Sequence, residues 1–138
     1  MTKKSSAAKC SLCKLVTGEK KAHKIYEDEK VVAFLDPEPV TGGHTVIIPK
    51  KHQEYIWDLD QDNYQHLMLK ARDIALRQRM IIKPLRIGVV IDGSDAPHAH
   101  FHLIPLKKRL KETLDIPEVE HKPSKKLLQK LSEKMRIQ

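Results

Sequence analysis

Residues 95–105 read DAPHAHFHLIP and place histidines at alternate positions, His98, His100 and His102. Successive side chains of a β-strand point to opposite faces, so the three imidazoles share one face and the apolar residues between them share the other. A strand with one apolar face needs a hydrophobic partner on that side only. The stretch therefore predicts an amphipathic β-strand of a sheet.

The spacing of the three histidines limits their chemistry. Neighbouring rings lie roughly 6.5–7 Å apart along a strand, which is too far for all three to bind one ion through Zn–N bonds of about 2 Å. A row of imidazoles can instead hold an extended anion, with one ring placed to attack phosphorus at neutral pH. The alternative is an amphipathic strand whose histidines face solvent.

The surrounding sequence predicts the other elements from apolar periodicity and from Pro and Gly breaks. They are a short helix ending at Gly18, a hairpin over 23–37, a buried strand at 44–50, a long helix at 60–82 capped by Asp58 or Asp60, and strands at 85–93 and 98–106. Short connections favour antiparallel neighbours. We expect an α+β fold: an antiparallel five-stranded sheet with one long helix, a short N-terminal helix and a C-terminal helical tail.

Composition divides the chain into three parts. Residues 1–9 read as a flexible leader, 10–110 as the domain, and 111–138 as a linker followed by an amphipathic C-terminal helix. One face of that helix carries the apolar residues Leu127, Leu128, Leu131 and Met135. It is predicted to dock on the domain or on a partner.

The 138 residues carry 26 Lys and Arg against 18 Asp and Glu, a formal charge of +8. This balance favours polyanions, although solvated tails and helix faces have the same composition. No apolar run has membrane length and no signal peptide is evident, so we expect a cytoplasmic protein without a membrane partner. Nucleic-acid binding would rest on charge alone, because aromatic platforms are few, and it is not expected.

Cys10 and Cys13 form a C-x-x-C pair. A structural disulfide is not expected without a secretion signal. The pair is therefore a redox couple, half of a metal site, or two ordinary thiols.

HAHFHLI fits His-x-His-x-His followed by two apolar residues, the signature of the histidine triad (HIT) proteins. The upstream half also resembles this family, with its C-x-x-C, the YEDE turn, AFLD and GHTVIIPKKH in the same order. The resemblance covers roughly residues 10–106. The chain is identified as a member of the bacterial-type, Hint-like branch.

The resemblance implies a HIT-like fold and a hydrolase or transferase acting at the α-phosphate of a purine nucleotide. The substrate would be a nucleoside phosphoramidate or a dinucleoside polyphosphate, and a nucleoside monophosphate would be released. His100 matches the nucleophile that forms the nucleotidyl-histidine intermediate. His98 and His102 flank it, His102 being the better candidate for touching phosphate oxygens, and His44 matches a family histidine near the site.

The resemblance also implies the nucleotide-binding residues. Asp36 matches the carboxylate that accepts hydrogen bonds from the ribose hydroxyls, and Ile25, Phe34 and Leu35 are expected to wall the base. On the residues alone, Asp36 could equally be a turn-capping residue before Pro37.

Two further properties follow from the resemblance. A structural Zn²⁺ would be held by Cys10, Cys13, His52 and His98, a set suited to a closed tetrahedral site. The protein would also be a homodimer, formed through the long helix and the strand at 86–91.

The sequence departs from the family just before the triad. Ile91 stands where an Asn is usual, and the following loop is about four residues shorter and lacks its Gln. Ser94 and the amides near Gly93 are expected to substitute, whereas Asp95 would repel phosphate if it pointed inward. The alternative function is a nucleotide-binding or regulatory HIT domain with weak or lost catalysis, whose basic tail binds an acidic partner.

Overall fold

The computed structural model describes residues 10–94 and 96–137. The strands form one antiparallel sheet in the order β1-β2-β3-β5-β4, so the predicted α+β fold is confirmed. The elements are α1 (Ser11–Thr17), β1 (Lys24–Glu27), β2 (Val31–Leu35), β3 (Thr45–Pro49), a 3-10 turn (Ile56–Asp58), α2 (Gln61–Ile82), β4 (Arg86–Val90), β5 (Phe101–Leu106), α3 (Leu110–Thr113) and α4 (Lys125–Met135).

The two faces of the sheet are covered by different helices. One face packs against α2, and the buried cluster there includes Ala33, Ile47, Leu67, Ala71, Phe101 and Leu103. The other face packs against α1 through Leu15, Val32, Phe34, Val46 and Ile48. His102 pairs with Val46 across β5 and β3, and opposed residues share a face. The triad therefore lies on the α1 side of the sheet.

The long helix begins and ends close to the predicted residues. Asp60 is the cap, because its carboxylate accepts a hydrogen bond from the Asn63 amide at 2.9 Å. Lys83 ends the helix in the left-handed conformation, with φ of 53°, and Pro84 follows. Local cap and breaker residues fix both ends.

The short N-terminal helix also forms as predicted. The Cys13 amide donates to Cys10 Sγ at 3.3 Å, which caps the helix start with a sulfur atom. Gly18, with φ of 83°, ends it in the left-handed region that glycine occupies without steric cost. Both cysteines of the C-x-x-C pair are thus held at the first turn of α1.

The last strand begins at Phe101, and its predicted start at His98 is wrong. The preceding residues bond to the connection after β3 rather than continuing the ladder: the Ala99 amide donates to the Gln53 carbonyl at 2.6 Å. The alternation of side chains nevertheless persists: Ala99 packs in the α2 core, His98 lies with the cysteines of the first turn of α1, and His100 lines a cavity with Leu15 and Val46.

The predicted C-terminal helix forms at Lys125–Met135, and the Ser124 hydroxyl caps its start. Its apolar side chains are exposed, from 42% for Leu131 to 75% for Met135. The division into a domain and a tail stays a prediction, and the predicted leader at 1–9 lies outside the described residues. Within the described ranges, no helix is both long enough and apolar enough to cross a membrane.

Candidate active site

The three triad histidines lie on one side of the chain but in different surroundings. His98 and His100 are buried, with 0% and 6% of their surface exposed, while His102 is half-buried. The rings of His100 and His102 meet edge to face with centroids 5.1 Å apart. Each ring therefore has its own partners, and these decide where its proton lies.

His100 Nδ1 lies 2.8 Å from the carbonyl oxygen of His98. A carbonyl can only accept, so Nδ1 carries the proton and donates it. In the neutral ring this leaves the lone pair on Nε2. A buried imidazole in this tautomer presents an unprotonated ring nitrogen, which can act as a nucleophile.

His102 has the opposite tautomer, set by a relay of two hydrogen bonds. The Val40 amide donates to His44 Nδ1 at 3.1 Å, so the proton of neutral His44 is on Nε2. His44 Nε2 then donates to His102 Nδ1 at 2.8 Å. His102 consequently carries its proton on Nε2, where an imidazole can donate to an anionic oxygen.

Burial of His44 keeps this relay neutral. Burial lowers the pKa of the ring, and the Asp36 carboxylate, with Oδ2 3.6 Å from Nε2, opposes that shift. Asp36, His44 and His102 lie close enough to hold a metal ion. The Val40 amide argues against one, because it needs the lone pair of Nδ1 and so keeps a proton on the nitrogen that would bind the metal.

A cavity of about 400 Å³ opens beside His100 and His102. This volume suits a small-molecule site. Three of the five predicted nucleotide-binding residues line it, namely Phe34, Leu35 and Asp36. The remaining lining residues are Leu12, Leu15, Lys20, Lys21, Ala22, His23, Pro37, Val46 and Ala96.

The structure does not bring Ile25 or Ser94 into this cavity. A register irregularity between Lys24 and Tyr26 turns Ile25 towards α2, where it lines a separate cavity of about 410 Å³. Ser94 is exposed, and its amide donates to the Asp92 carboxylate at 3.0 Å instead of facing the histidines. Asp95 lies outside the described residues.

Sequence reasoning missed the segment between α1 and β1. Lys20, Lys21 and His23 line the cavity, but none of them was predicted as a site residue. A long-range contact places them: the Leu35 amide donates to the His23 carbonyl at 2.9 Å, which lays the segment beside β2. Their alternation with apolar residues is too short to have predicted this.

A second missed feature is acidic and lies on another side of His100. Glu54, Tyr55, Asp92 and Gly93 line a small cavity with that ring. Hydrogen bonds from Ser94 lower the pKa of Asp92, and the nearby imidazoles lower it further. Asp92 is therefore a carboxylate across the neutral pH range.

The four predicted zinc ligands meet at one point. His98 Nδ1 lies 3.4 Å from Cys10 Sγ and 3.3 Å from Cys13 Sγ, and His52 Nδ1 lies 3.1 Å from Cys13 Sγ. His98 Nε2 donates to the Pro49 carbonyl at 2.8 Å, so the lone pair of its Nδ1 faces the thiols. Such a second hydrogen bond is typical of a metal-binding histidine.

These residues fit a zinc ion. Two sulfurs and two imidazole nitrogens within 4.8 Å of one another form a Cys2His2 donor set. Burial, with the neighbouring Cys10 thiol, raises the pKa of Cys13 to about 11 in the absence of metal. A bound divalent cation reverses that effect, because a coordinating thiol is deprotonated.

Residues 17–109 match the HIT domain family. The chain belongs to that family. An uncharacterized HIT-like protein of Mycoplasma genitalium is 38% identical, and the match covers 74% of this chain and 76% of the relative. The adenosine 5′-monophosphoramidase HNT1 of Saccharomyces cerevisiae is 32% identical over 71% of this chain and 63% of its own length.

Solved structures share the fold. SMU.412c of Streptococcus mutans superposes with a TM-score of 0.80 at 31% identity, covering 98% of this chain and 87% of that one. A Zn-bound histidine triad family protein of Mycobacterium smegmatis has a TM-score of 0.70 at 26% identity, covering 84% and 86%. The HIT fold inferred from the sequence is confirmed.

Proposed function

We propose that this HIT protein is a hydrolase that transfers a nucleotidyl group first to His100 and then to water. The observation that carries the proposal is the 2.8 Å hydrogen bond from His100 Nδ1 to the His98 carbonyl. It leaves Nε2 as the unprotonated nitrogen of a buried ring that lines a cavity of nucleotide size. Released products would be a nucleoside monophosphate and the leaving group.

The reaction has two displacements at the α-phosphorus. His100 Nε2 forms a P–N bond while the bond to the leaving amine breaks, and the amine takes up one proton from the solution. Water then attacks the same phosphorus, the bond to His100 breaks, and one proton returns to the solution. The His102 Nε2 proton can stabilise the phosphate oxygens in both steps, because the negative charge on these oxygens increases in each transition state.

The nucleoside would lie across the α1 side of the sheet. Asp36 accepts the Glu38 amide through Oδ1 at 2.9 Å, which fixes the carboxylate at the end of β2. From there it can accept hydrogen bonds from ribose hydroxyls. Phe34 and Leu35 line the same cavity and supply apolar surface for the base.

The acidic side of His100 favours an amine as the leaving group. Asp92 and Glu54 line the small cavity that adjoins the ring. A released amine is cationic at neutral pH and would be attracted by these carboxylates, whereas a polyphosphate would be repelled. A nucleoside phosphoramidate is therefore the preferred substrate over a dinucleoside polyphosphate.

The test is release of AMP from adenosine 5′-phosphoramidate and from diadenosine polyphosphates, with His100→Ala beside the wild type. We expect faster turnover of the phosphoramidate, and a loss of roughly 1,000-fold or more without the nucleophile. His121→Ala, in the exposed C-terminal part, is the matched control and should keep wild-type activity. Equal release by wild type and His100→Ala would refute the proposal.

One observation favours the alternative of a nucleotide-binding HIT domain with weak catalysis. Ser94 is exposed and tied to Asp92, and Ile91 packs against the α2 core, so neither supplies a polar group to the histidines. This alternative predicts AMP binding of equal strength in wild type and His100→Ala, with no turnover in either. The basic tail would then be the contact with an acidic partner.

A structural Zn²⁺ held by Cys10, Cys13, His52 and His98 belongs to the same proposal. When bound, it would cross-link these residues and hold both thiolates in their charged form. Thiols used as zinc ligands are compatible with a reducing cytoplasm, which is the proposed location.

The proposed assembly is a homodimer through α2 and β4. β4 is an edge strand of the sheet, and unpaired edges are typical sites of strand association. The nearby side chains of Leu69, Met80, Leu85 and Val89 are 45–67% exposed. Light scattering of the eluting protein should give twice the chain mass, and Val89→Lys should give the monomer mass.

A further inference from the structure

The segment between α1 and β1 brings three basic side chains to the nucleotide cavity, and the proposed chemistry uses none of them. Lys20, Lys21 and His23 all line it. Asp36 is the one acidic residue among the described residues lining this cavity. The segment therefore determines the electrostatics of the part of the cavity that it borders.

Strand pairing shows which part that is. His102 pairs with Val46, Val46 with Phe34, and Phe34 with Lys24, so one row crosses four strands. Three strand spacings of about 4.8 Å put the β1 end of this row roughly 14 Å from the triad. The basic segment immediately precedes Lys24 and therefore borders the end of the cavity opposite His102.

Asp36 lies between these two ends. Its Oδ2 lies 3.6 Å from His44 Nε2, which bonds His102. It also follows Leu35, whose amide donates to the His23 carbonyl at 2.9 Å. A nucleotide with its phosphorus at His100 and its ribose at Asp36 consequently directs its base towards Lys20 and Lys21. The two lysines are placed to contact the edge of the base, not the leaving group.

The ammonium groups of these lysines are available for a ligand. Among the described residues, no carboxylate pairs with Lys20 or Lys21, and both are exposed. Lys24, by contrast, is paired with Glu27 at 2.9 Å. An ammonium group has three donors and no acceptor, so it selects for acceptor atoms on the base.

We infer that Lys20 and Lys21 make this protein selective for guanine over adenine nucleotides. Guanine presents two adjacent acceptors, O6 and N7, which lysine commonly contacts, whereas adenine replaces O6 by a donating amino group. This specificity rests on the proposed function, whose substrate it narrows to guanosine 5′-phosphoramidates. Hypoxanthine, which keeps both acceptors, should be recognised as guanine is.

The kinetic test compares kcat/KM for guanosine and adenosine 5′-phosphoramidates. The wild type should prefer guanosine by roughly fivefold or more, within the range of one lysine–base contact. The double variant Lys20→Met/Lys21→Met should lose that preference, because the KM for guanosine should rise more than the KM for adenosine, whose base keeps only the N7 acceptor. Lys125→Met/Lys126→Met removes an adjacent exposed lysine pair from α4 and should keep the wild-type ratio.

Equal kcat/KM for the two wild-type substrates would overturn the inference. So would an equal loss on both substrates in Lys20→Met/Lys21→Met, which would indicate general attraction of anions. If neither substrate is hydrolysed, the proposed function fails, and calorimetric binding of GMP, IMP and AMP decides the inference separately. GMP and IMP binding at least fivefold more tightly than AMP would support it, and equal affinities would contradict it.

Discussion

His100 and His102 are two residues apart and carry their ring protons on different nitrogens. The His98 carbonyl holds the proton of His100 on Nδ1, and the relay from Val40 through His44 holds that of His102 on Nε2. Alternate spacing predicted that the rings share a face, and the family resemblance predicted their roles. Neither the spacing nor the resemblance could predict the tautomers, because these depend on backbone groups and on His44, which is 58 positions from His102.

The relay from Val40 through His44 to His102 predicts that the His44 ring has an unusual pKa. Burial should hold its pKa below the ordinary 6.5, and Asp36→Asn should lower it further because the carboxylate raises it. The folded protein then binds fewer protons than the unfolded chain. The free energy of unfolding therefore falls as the pH decreases through 6.5 towards the folded pKa. NMR of the ring nitrogens measures both values. A pKa above 6.5, or a rise in Asp36→Asn, would contradict the relay.

The ends of helices and strands could be predicted where contacts close in sequence set them, and not where contacts distant in sequence did. Both ends of α2 were predicted to within a residue or two, because Asp60 and Pro84 act on the adjacent backbone. The start of β5 was placed too early, because Ala99 bonds to Gln53, far away in the chain. The prediction that Ile25 contacts the base was wrong. Nothing in the sequence indicates the irregularity in β1 that turns this residue towards α2.

The Asp60 cap should contribute measurably to the stability of α2. Asp60→Ala removes the acceptor for the Asn63 amide and should lower the free energy of unfolding by about 1 kcal/mol. Urea denaturation measures the change. Asp60 also lies 3.6 Å from the exposed Lys51 ammonium, so Lys51→Ala is the matched control. An equal loss in both variants would attribute the effect to the ion pair, whose exposed position predicts well under 1 kcal/mol.

For the whole molecule, the Cys2His2 cluster connects parts that are distant in sequence. It joins the first turn of α1, the connection after β3 and the segment entering β5. α1 also supplies Leu12 and Leu15 to the cavity beside His100 and His102. The C-x-x-C pair was visible in the sequence, but His52 and His98 joined it only through the resemblance, because spacing alone does not pair residues so far apart.

Zinc should therefore stabilise the whole fold. The freshly purified protein is expected to contain about one zinc ion per chain, and Cys13→Ala should lose it. Because metal binding is coupled to folding, that variant and the chelator-treated wild type should both melt at clearly lower temperatures. Ser11→Ala, in the same helix, should keep the metal and the melting temperature. Fresh protein without zinc, or an unchanged melting temperature after chelation, would contradict a structural zinc ion.

If His100 is the nucleophile, it carries a nucleotidyl group during turnover of a nucleoside phosphoramidate, and mass spectrometry of the quenched enzyme detects that group. We predict a mass increase of one nucleotidyl group, mapped to His100 in the peptide containing residues 98–106 and absent from His100→Ala. An adduct on a different residue, or wild-type turnover by His100→Ala, would show that His100 is not the nucleophile.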